Sequence, residues 1–384
     1  MNGKQKLTTP VSIIVFIILL IAAIVTLNQE PTAPVSAPGD YLFCWWNVEN
    51  LFDDINDGRG NVADKTYDSW YGYEREGVFL KVGKRTELPT KLNKHLQLKL
   101  GKLTEAILKM NKGRGPDILA VGEVESIRAA ELLKTSLNAQ FDEEKEFLKY
   151  KDLAMVEVGT GRHIACAVIS RFPILRDPGH EPKLLDKRRR ILEVHLSAGN
   201  GKTLVVIASH WRSRLKQNGD DGSRSRAEYG KIIHKRYLEL QKQVRPGAPP
   251  LDLLVCGDFN DNPKDVSVEQ YLQATGDVSE VEASANPNKL FNLFAGKDLK
   301  RFGTHYYRTK GQSPWSIFDQ IVVSAGMLDN QGWSCHPETA QSYQGLSRPG
   351  DKLGRPWSFG GRTDDPKTRG YSDHFPVTVT LTVH

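Results

Sequence analysis

Eight polar residues stand at or beside the ends of apolar runs in this chain: Asn47, Glu123, His210, Asp258, Asn260, Asp319, Asp373 and His374. Carboxylate and amide oxygens are hard donors. A cation such as Mg2+ takes one or two of them and keeps water in its remaining positions. Imidazole moves protons at neutral pH. Hydrolysis of a phosphate ester needs both: a cation to offset charge gathering on the phosphoryl oxygens, and a group that directs the attacking water. Any one of these residues has an ordinary explanation as a turn residue, cap or surface histidine. The whole set, recurring at strand ends, does not. Zinc and disulfide chemistry are poorly served. Cys44, Cys166 and Cys256 lie inside apolar runs, Cys335 lies in a polar stretch, and none has CxxC or Cys/His spacing.

These residues need rigid elements to hold them. In LDLLVCGDFNDN (251–262) the apolar run after Pro249 and Pro250 reads as a buried strand. Gly257 is expected to let the backbone turn tightly. Asp258 and Asn260 then fall on the loop at the strand's carboxyl end, where open α/β sheets place ligands. Other segments repeat the pattern. Residues 41–46 form a strand ending in Asn47-Val48-Glu49-Asn50, and residues 117–121 one ending in Gly122-Glu123. A hairpin at 190–209, turning at Gly199-Asn200-Gly201, delivers His210. Residues 316–324 carry Asp319, and a last strand follows Ser372-Asp373-His374. Residues 164–169 are another strand. Helical spacing appears at 91–110, with a lysine-rich outer face, at 127–139 and 225–244, and near 264–274. Residues 53–90 read as an irregular, aromatic-rich excursion and 335–370 as a long loop. The class is α/β.

With 384 residues there is room for one large α/β domain or two modest ones, and 39% apolar residues suffice for a real core. The formal charge of +6 is a mild basic excess that permits an anionic partner. Lys4 and Lys6 precede an unbroken apolar run at 11–27, which reads as a membrane-crossing signal anchor, with a cleaved signal peptide as the alternative. Either way the lysines keep residues 1–10 cytoplasmic and everything beyond is exported. Residues 28–40 are a Pro- and Ala-rich linker, and 41–384 the remaining domain. Arg212 and Arg214 follow His210 closely and are expected to reach substrate phosphates. Arg224 and Arg226 read as solvated surface; the cluster at 187–190 reads either as solvated surface or, with Arg212 and Arg214, as a grip on several phosphates of a polyanionic substrate. Arg348, Lys352, Arg355 and Arg362 can track a nucleic acid backbone, with Trp357 stacking on a base.

The motifs WNVEN (46–50), DILAVGEVE (117–125), SRFPI (170–174), SHW (209–211), GDFND (257–261), FDQIVVS (318–324) and SDHFPV (372–377) run in order through residues 41–384. In them the chain resembles the endonuclease/exonuclease/phosphatase superfamily, the group of deoxyribonuclease I, exonuclease III, inositol polyphosphate 5-phosphatases and neutral sphingomyelinases. The resemblance implies a four-layer sandwich of two central mixed β-sheets packed face to face, with helices outside. It implies Glu123 as the principal metal ligand with Asn47 beside it, and Asp373 completing the metal–water network. Asp258 would orient or deprotonate the attacking water and Asn260 would hold a phosphate oxygen. Asp319 would fix the His374 tautomer, and His210 would contact the phosphate or serve the leaving group. The implied cofactor is Mg2+, with Mn2+ or Ca2+ as alternatives. Gly122 departs from the usual Gln, which puts one supporting hydrogen bond in doubt, and Glu125 is a rival for Glu123. The SHW segment sets the chain apart from the exonuclease III branch. The resulting expectation is an exported or membrane-tethered endonuclease on DNA or RNA, monomeric and with no protein partner evident. The alternatives are a phospholipid or inositol-phosphate phosphodiesterase, whose landing surface the 53–90 aromatics would form, and a non-catalytic binding protein that kept the fold.

Overall fold

The computed structural model describes residues 39–54, 94–157, 164–215, 219–282, 288–307, 313–360 and 364–384. The chain divides into two units, Met1–Thr32 and Ala33–His384, and the described residues all belong to the second. The expected membrane segment at 11–27, the linker up to residue 38, the aromatic residues 55–90 and Arg362 lie outside the described residues. Among the described residues no helix is long and apolar enough to cross a membrane.

Strands are numbered in chain order. One sheet holds β1 (Tyr41–Leu51), β2 (Ile118–Val124), β3 (Asp152–Met155), β4 (Ala165–Ser170), β14 (Trp333–Ser342) and β15 (Val377–Val383), in the spatial order β14-β15-β1-β2-β4-β3. The other holds β5 (Lys183–Leu184), β6 (Leu192–Ser197), β7 (Thr203–His210), β8 (Leu253–Asp258), β9 (Ala274–Thr275), β10 (Leu290–Asn292) and β13 (Asp319–Val323), in the order β5-β6-β7-β8-β13-β10-β9. A short ribbon pairs β11 (His305–Tyr306) with β12 (Trp315–Ser316). Each large sheet has a central parallel pair, β1–β2 and β7–β8, flanked by antiparallel neighbours. A parallel pair brings two carboxyl ends to one edge. An antiparallel neighbour starts at that edge, which is why Asp319 at the head of β13 lies opposite Asp258 at the tail of β8.

Strands buried on both faces need apolar side chains at every position, so they read as continuous runs. In β1, Phe43 and Trp45 pack between the sheets with Ala120, Val206, Cys256 and Val379. Leu42, Cys44 and Trp46 face outward and meet helix α1 (Lys94–Leu108) and helix α2 (Ile127–Asn138) through Leu96, Leu103, Ile107 and Leu133. The outer face of the second sheet is covered by helix α3 (Ser223–Gln241), where Tyr229, Ile233 and Tyr237 pack on Val205, Ile207 and Val255. Four layers result. Truncating a fully buried side chain such as Leu103 to Ala would cost about 2–5 kcal/mol.

Four expectations are corrected. The helix near 264–274 is a single π-turn, Ser267–Tyr271. The long loop begins later than read, because Trp333–Ser342 is β14, paired with β15, and Cys335 is buried there. Its polar sequence and Pro337 hide a strand, but it lies at the edge of the sheet and carries a register shift between His336 and Gln341, both places where Pro is tolerated. Gly257 does not make the turn. It lies inside β8, and a Cβ there would meet the Ser209 carbonyl oxygen at 2.1 Å, so its role is close approach to β7. The turn falls at Asn260, at φ 51°. The helix at 91–110 is expected to turn its lysines outward, but one of them, Lys99, is fully buried.

Candidate active site

The structure gathers the expected residues at the shared carboxyl edge of the two parallel pairs. Asn47, almost wholly buried, is the link: its Nδ2 donates to Glu123 Oε1 at 3.2 Å and to Asp258 Oδ2 at 3.1 Å. His210, at the end of β7, places Nε2 3.4 Å from Asp258 Oδ2 and Nδ1 3.8 Å from Glu123 Oε1. His374 Nδ1 lies 2.6 Å from Asp319 Oδ2, and its Nε2 lies 3.7 Å from Asp258 Oδ2. Trp45 Nε1 donates to the other Asp319 oxygen at 2.8 Å, so both oxygens of that buried carboxylate are held.

Local backbone aims these groups. The β1–β2 pairing shifts register between Asn47 and Leu51, and Glu49, Asn50 and Glu123 all take positive φ there (53°, 56° and 61°). Left-handed backbone at non-glycine residues is unfavourable and concentrates at functional sites. It leaves Asn50 N donating to Glu123 Oε2 at 2.9 Å. The departure at Gly122 has a steric cause: a Cβ would stand 2.8 Å from the Trp45 ring, so the indole fills the volume a longer side chain would need. Glu125 is buried and its Oε2 accepts the Asp53 backbone N–H at 3.0 Å, away from the convergence point.

The electrostatics of the two parts differ. Burial pushes the Asp373 carboxyl up to about 7, and the neighbouring Glu49 and Glu123 carboxylates add to the rise. For His374, burial disfavours the charged ring, yet Asp319 and Asp258 outweigh it and hold its pKa well above the usual histidine value. Nδ1–H then donates to Asp319, and Nε2–H is left for a further acceptor. Asn260 donates its backbone N–H to Asp258 Oδ1 at 2.9 Å and one Nδ2 hydrogen to the Trp211 carbonyl at 3.0 Å, which leaves the second amide hydrogen free to bind an oxygen.

The oxygen donors of Asn47, Glu123 and Asp373 suit a hard divalent cation, and the carboxylate repulsion that adds to the effect of burial at Asp373 is what such a cation relieves. Among the described residues two compact acid–histidine groups occur at the site, His305 with Asp373 and His374, and Asp258 with Asp319 and His374, the ligand atoms of each within 4.8 Å of one another.

The two arginines are engaged elsewhere. Arg214 donates to the Asn260 carbonyl at 2.7 Å and pairs with Asp261 at 2.5 Å and with Asp265. Arg212 pairs with Asp220 at 2.9 Å. Acidic partners therefore compete with the phosphate contacts expected of both. Arg226, read as surface, is buried against Asp261 at 2.8 Å.

Three residues escaped the sequence reading. His305 forms a bridge with His374, and their rings are 4.7 Å apart. Glu49 ties the long loop to the site, accepting from Ser358 Oγ at 2.6 Å, Phe359 N at 2.7 Å and Gly360 N at 3.1 Å. Lys99 Nζ donates to the carbonyls of Glu49 and Tyr371, both at 3.1 Å, and burial lowers its pKa to about 8. Only Glu49 left a signal, through its place in the WNVEN run.

The model of the Endonuclease/Exonuclease/phosphatase family matches residues 43–383. No curated protein matches. Among solved structures, truncated Caenorhabditis elegans TDP2 is similar at 16% identity, covering 90% of this chain and 98% of that one with a TM-score of 0.47. The Bacteroides thetaiotaomicron mannosyl-6-phosphatase is similar at 14% identity, covering 89% and 99% with a TM-score of 0.45. Sphingomyelinase C from Streptomyces griseocarneus is also similar at 14% identity, covering 89% and 99% with a TM-score of 0.47.

Proposed function

The chain belongs to the Endonuclease/Exonuclease/phosphatase family of phosphoesterases, and we propose that it is an Mg2+-dependent phosphodiesterase cleaving DNA or RNA. One observation carries this reading. A buried carboxylate, Asp258, stands within 3.4 and 3.7 Å of two imidazoles and is joined through Asn47 to Glu123. Proton-moving groups and oxygen donors thus converge on one point.

Asn47, Glu123 and Asp373 would hold the cation. When bound, it offsets the negative charge that develops on the phosphoryl oxygens. The chain's own groups do the rest. Asp258 Oδ2 accepts the proton of the attacking water and orients it. His374, kept charged by Asp319, gives its Nε2–H to a phosphoryl oxygen. The free Asn260 amide hydrogen binds another. His210, less buried than His374, protonates the leaving oxygen or holds it. Arg212 adds a phosphate contact once it releases Asp220, while Arg214 braces the loop that carries Asn260. The protein acts as a monomer outside the cytoplasm, anchored by residues 11–27 or secreted.

A lipid headgroup substrate is the second reading. It is favoured by Leu215, Tyr307 and Leu353, which are 64%, 61% and 51% exposed and lie in the segments that also carry Arg214, His305 and Arg355. The test incubates the protein with Mg2+ and plasmid DNA, RNA, sphingomyelin or inositol phosphates. Cleavage of nucleic acid with little action on the lipids is expected. Turnover of a lipid alone would select the second reading.

A further inference from the structure

A cavity of about 240 Å³ opens beside His210, and its wall is a run of three consecutive arginines, Arg188, Arg189 and Arg190. The run is built, not loose. Asp186 Oδ1 accepts from the Arg189 backbone N–H and the Asp186 carbonyl from that of Arg190, both at 2.8 Å, and Arg190 takes φ 52° to close the turn. Arg190 Nη1 then donates to the Ile164 carbonyl at 2.8 Å and pins the wall to the strand opposite. Arg189 lies over the ring of Tyr229, 5.6 Å from its centroid; its Nη1 stands 3.6 Å from Asp186 Oδ2, while its Nε is buried without a hydrogen-bond acceptor among the described residues. Arg188 is exposed.

A guanidinium N–H withdrawn from water without an acceptor is costly, and arginine is the side chain best shaped to grip phosphate oxygens. No carboxylate lines this cavity. Its other lining includes His210, Trp211 and Tyr229, so it adjoins the place where the scissile phosphate would sit. We propose that this cavity is a second phosphate subsite, which takes the backbone phosphate one residue along the nucleic acid from the bond being cut. The inference rests on the phosphodiesterase reading and adds to it a substrate requirement: at least two neighbouring phosphates.

The experiment measures kcat/KM with Mg2+ on a dinucleoside monophosphate and on the same dinucleotide carrying a terminal 5′- or 3′-phosphate. In the unaltered protein one of the two added phosphates is expected to raise kcat/KM about tenfold or more, the range of a charge-assisted hydrogen bond. Arg189→Gln should bring that ratio close to one. Arg188→Gln, on an exposed residue whose loss does not threaten folding, should lower it in part. Lys242→Gln, in a groove lined by Lys231 and Tyr271 elsewhere on the surface, should leave the ratio as it is. A ratio near one in the unaltered protein that cleaves both dinucleotides overturns the subsite and leaves the phosphodiesterase reading standing. So does a gain that survives Arg188→Gln combined with Arg189→Gln. A gain seen with glycerophosphoinositol 4-phosphate over glycerophosphoinositol, and absent from the dinucleotides, overturns the nucleic acid assignment. Calorimetric binding of pyrophosphate to the Asp258→Asn variant gives a readout independent of turnover. Arg189-dependent binding in a protein inactive on every diester would support the anion site while overturning the phosphodiesterase reading, and binding indifferent to Arg189→Gln counts against the subsite.

Discussion

The two central strand pairs use one backbone arrangement for two electrostatic ends. β1–β2 ends in Asn47 and Glu123, with Asp373 on the segment leading into β15. β7–β8 ends in His210 and Asp258, with Asp319 at the head of β13. In the first half carboxylates face one another, so that burial, Glu49 and Glu123 together lift Asp373 to about 7. The ammonium of nearby Lys99 is turned to two backbone carbonyls. In the second half each buried carboxylate has an imidazole against it, Asp319 with His374 and Asp258 with both histidines. Histidines stand near the first half as well, His210 Nδ1 3.8 Å from Glu123 Oε1 and His305 and His374 beside Asp373, but the closest acid–imidazole pair, His374 with Asp319 at 2.6 Å, lies in the second. The proposed division gives cation binding to the first half and proton transfer to the second. Asn47 joins them, because a neutral amide can donate to a carboxylate in each half without adding charge.

If this division is right, the largest effect comes from the second half. Asp258→Ala and His374→Ala should each lower turnover by on the order of 10²-fold or more, the contribution of general acid–base groups being about 10² to 10⁴. Mg2+ affinity, followed by calorimetry, should move far less. Metal affinity collapsing alongside turnover would show that the halves are not separable.

In the first half, chelation with EDTA should abolish hydrolysis. Glu123→Gln should weaken Mg2+ binding at least about tenfold, with activity partly recovered at high Mg2+. Full activity in excess EDTA would break the division outright.

The pH dependence of metal binding gives a finer test. Asp373 carries its proton below about 7, and a cation must displace it. Affinity should therefore fall by up to about tenfold per pH unit below 7 and level off above it. Titrations of Asp373→Asn should lose that slope, and a slope that persists would place the proton elsewhere.

The smallest effect belongs to Arg214. Read as a brace between Asn260, Asp261 and Asp265, its change to Met should cost no more than about 1 kcal/mol of stability in urea unfolding, discounted because its side chain is more than a third exposed. DNA binding by an Asp258→Ala background should keep its salt dependence. A log–log slope shallower by about 0.9 would instead mark a phosphate contact.

The sequence alone determined the class, the order of the main strands and the edge at which the polar groups gather. Burial of β1, β2, β7 and β8 on both faces demands unbroken apolar runs, and that demand is local and legible. Asp258, Asp319 and His374 were legible for the same reason, each sitting where such a run starts or stops. What only the tertiary structure decided depends on atoms brought together across long separations. Lys99 looked like a solvent-facing lysine until Glu49 and Tyr371, 50 and 272 residues away, supplied its acceptors. His305 carries no pattern of its own and acquires its place from a bridge to His374. Gly122 and Gly257 are glycines because Trp45 and the Ser209 carbonyl occupy the space a Cβ would need. Arg214 lies in sequence close to His210, but its partners are Asp261 and Asp265. Apolar periodicity records whether a position is buried. It does not record which group stands opposite, and at this site the opposing group sets charge, tautomer and donor direction.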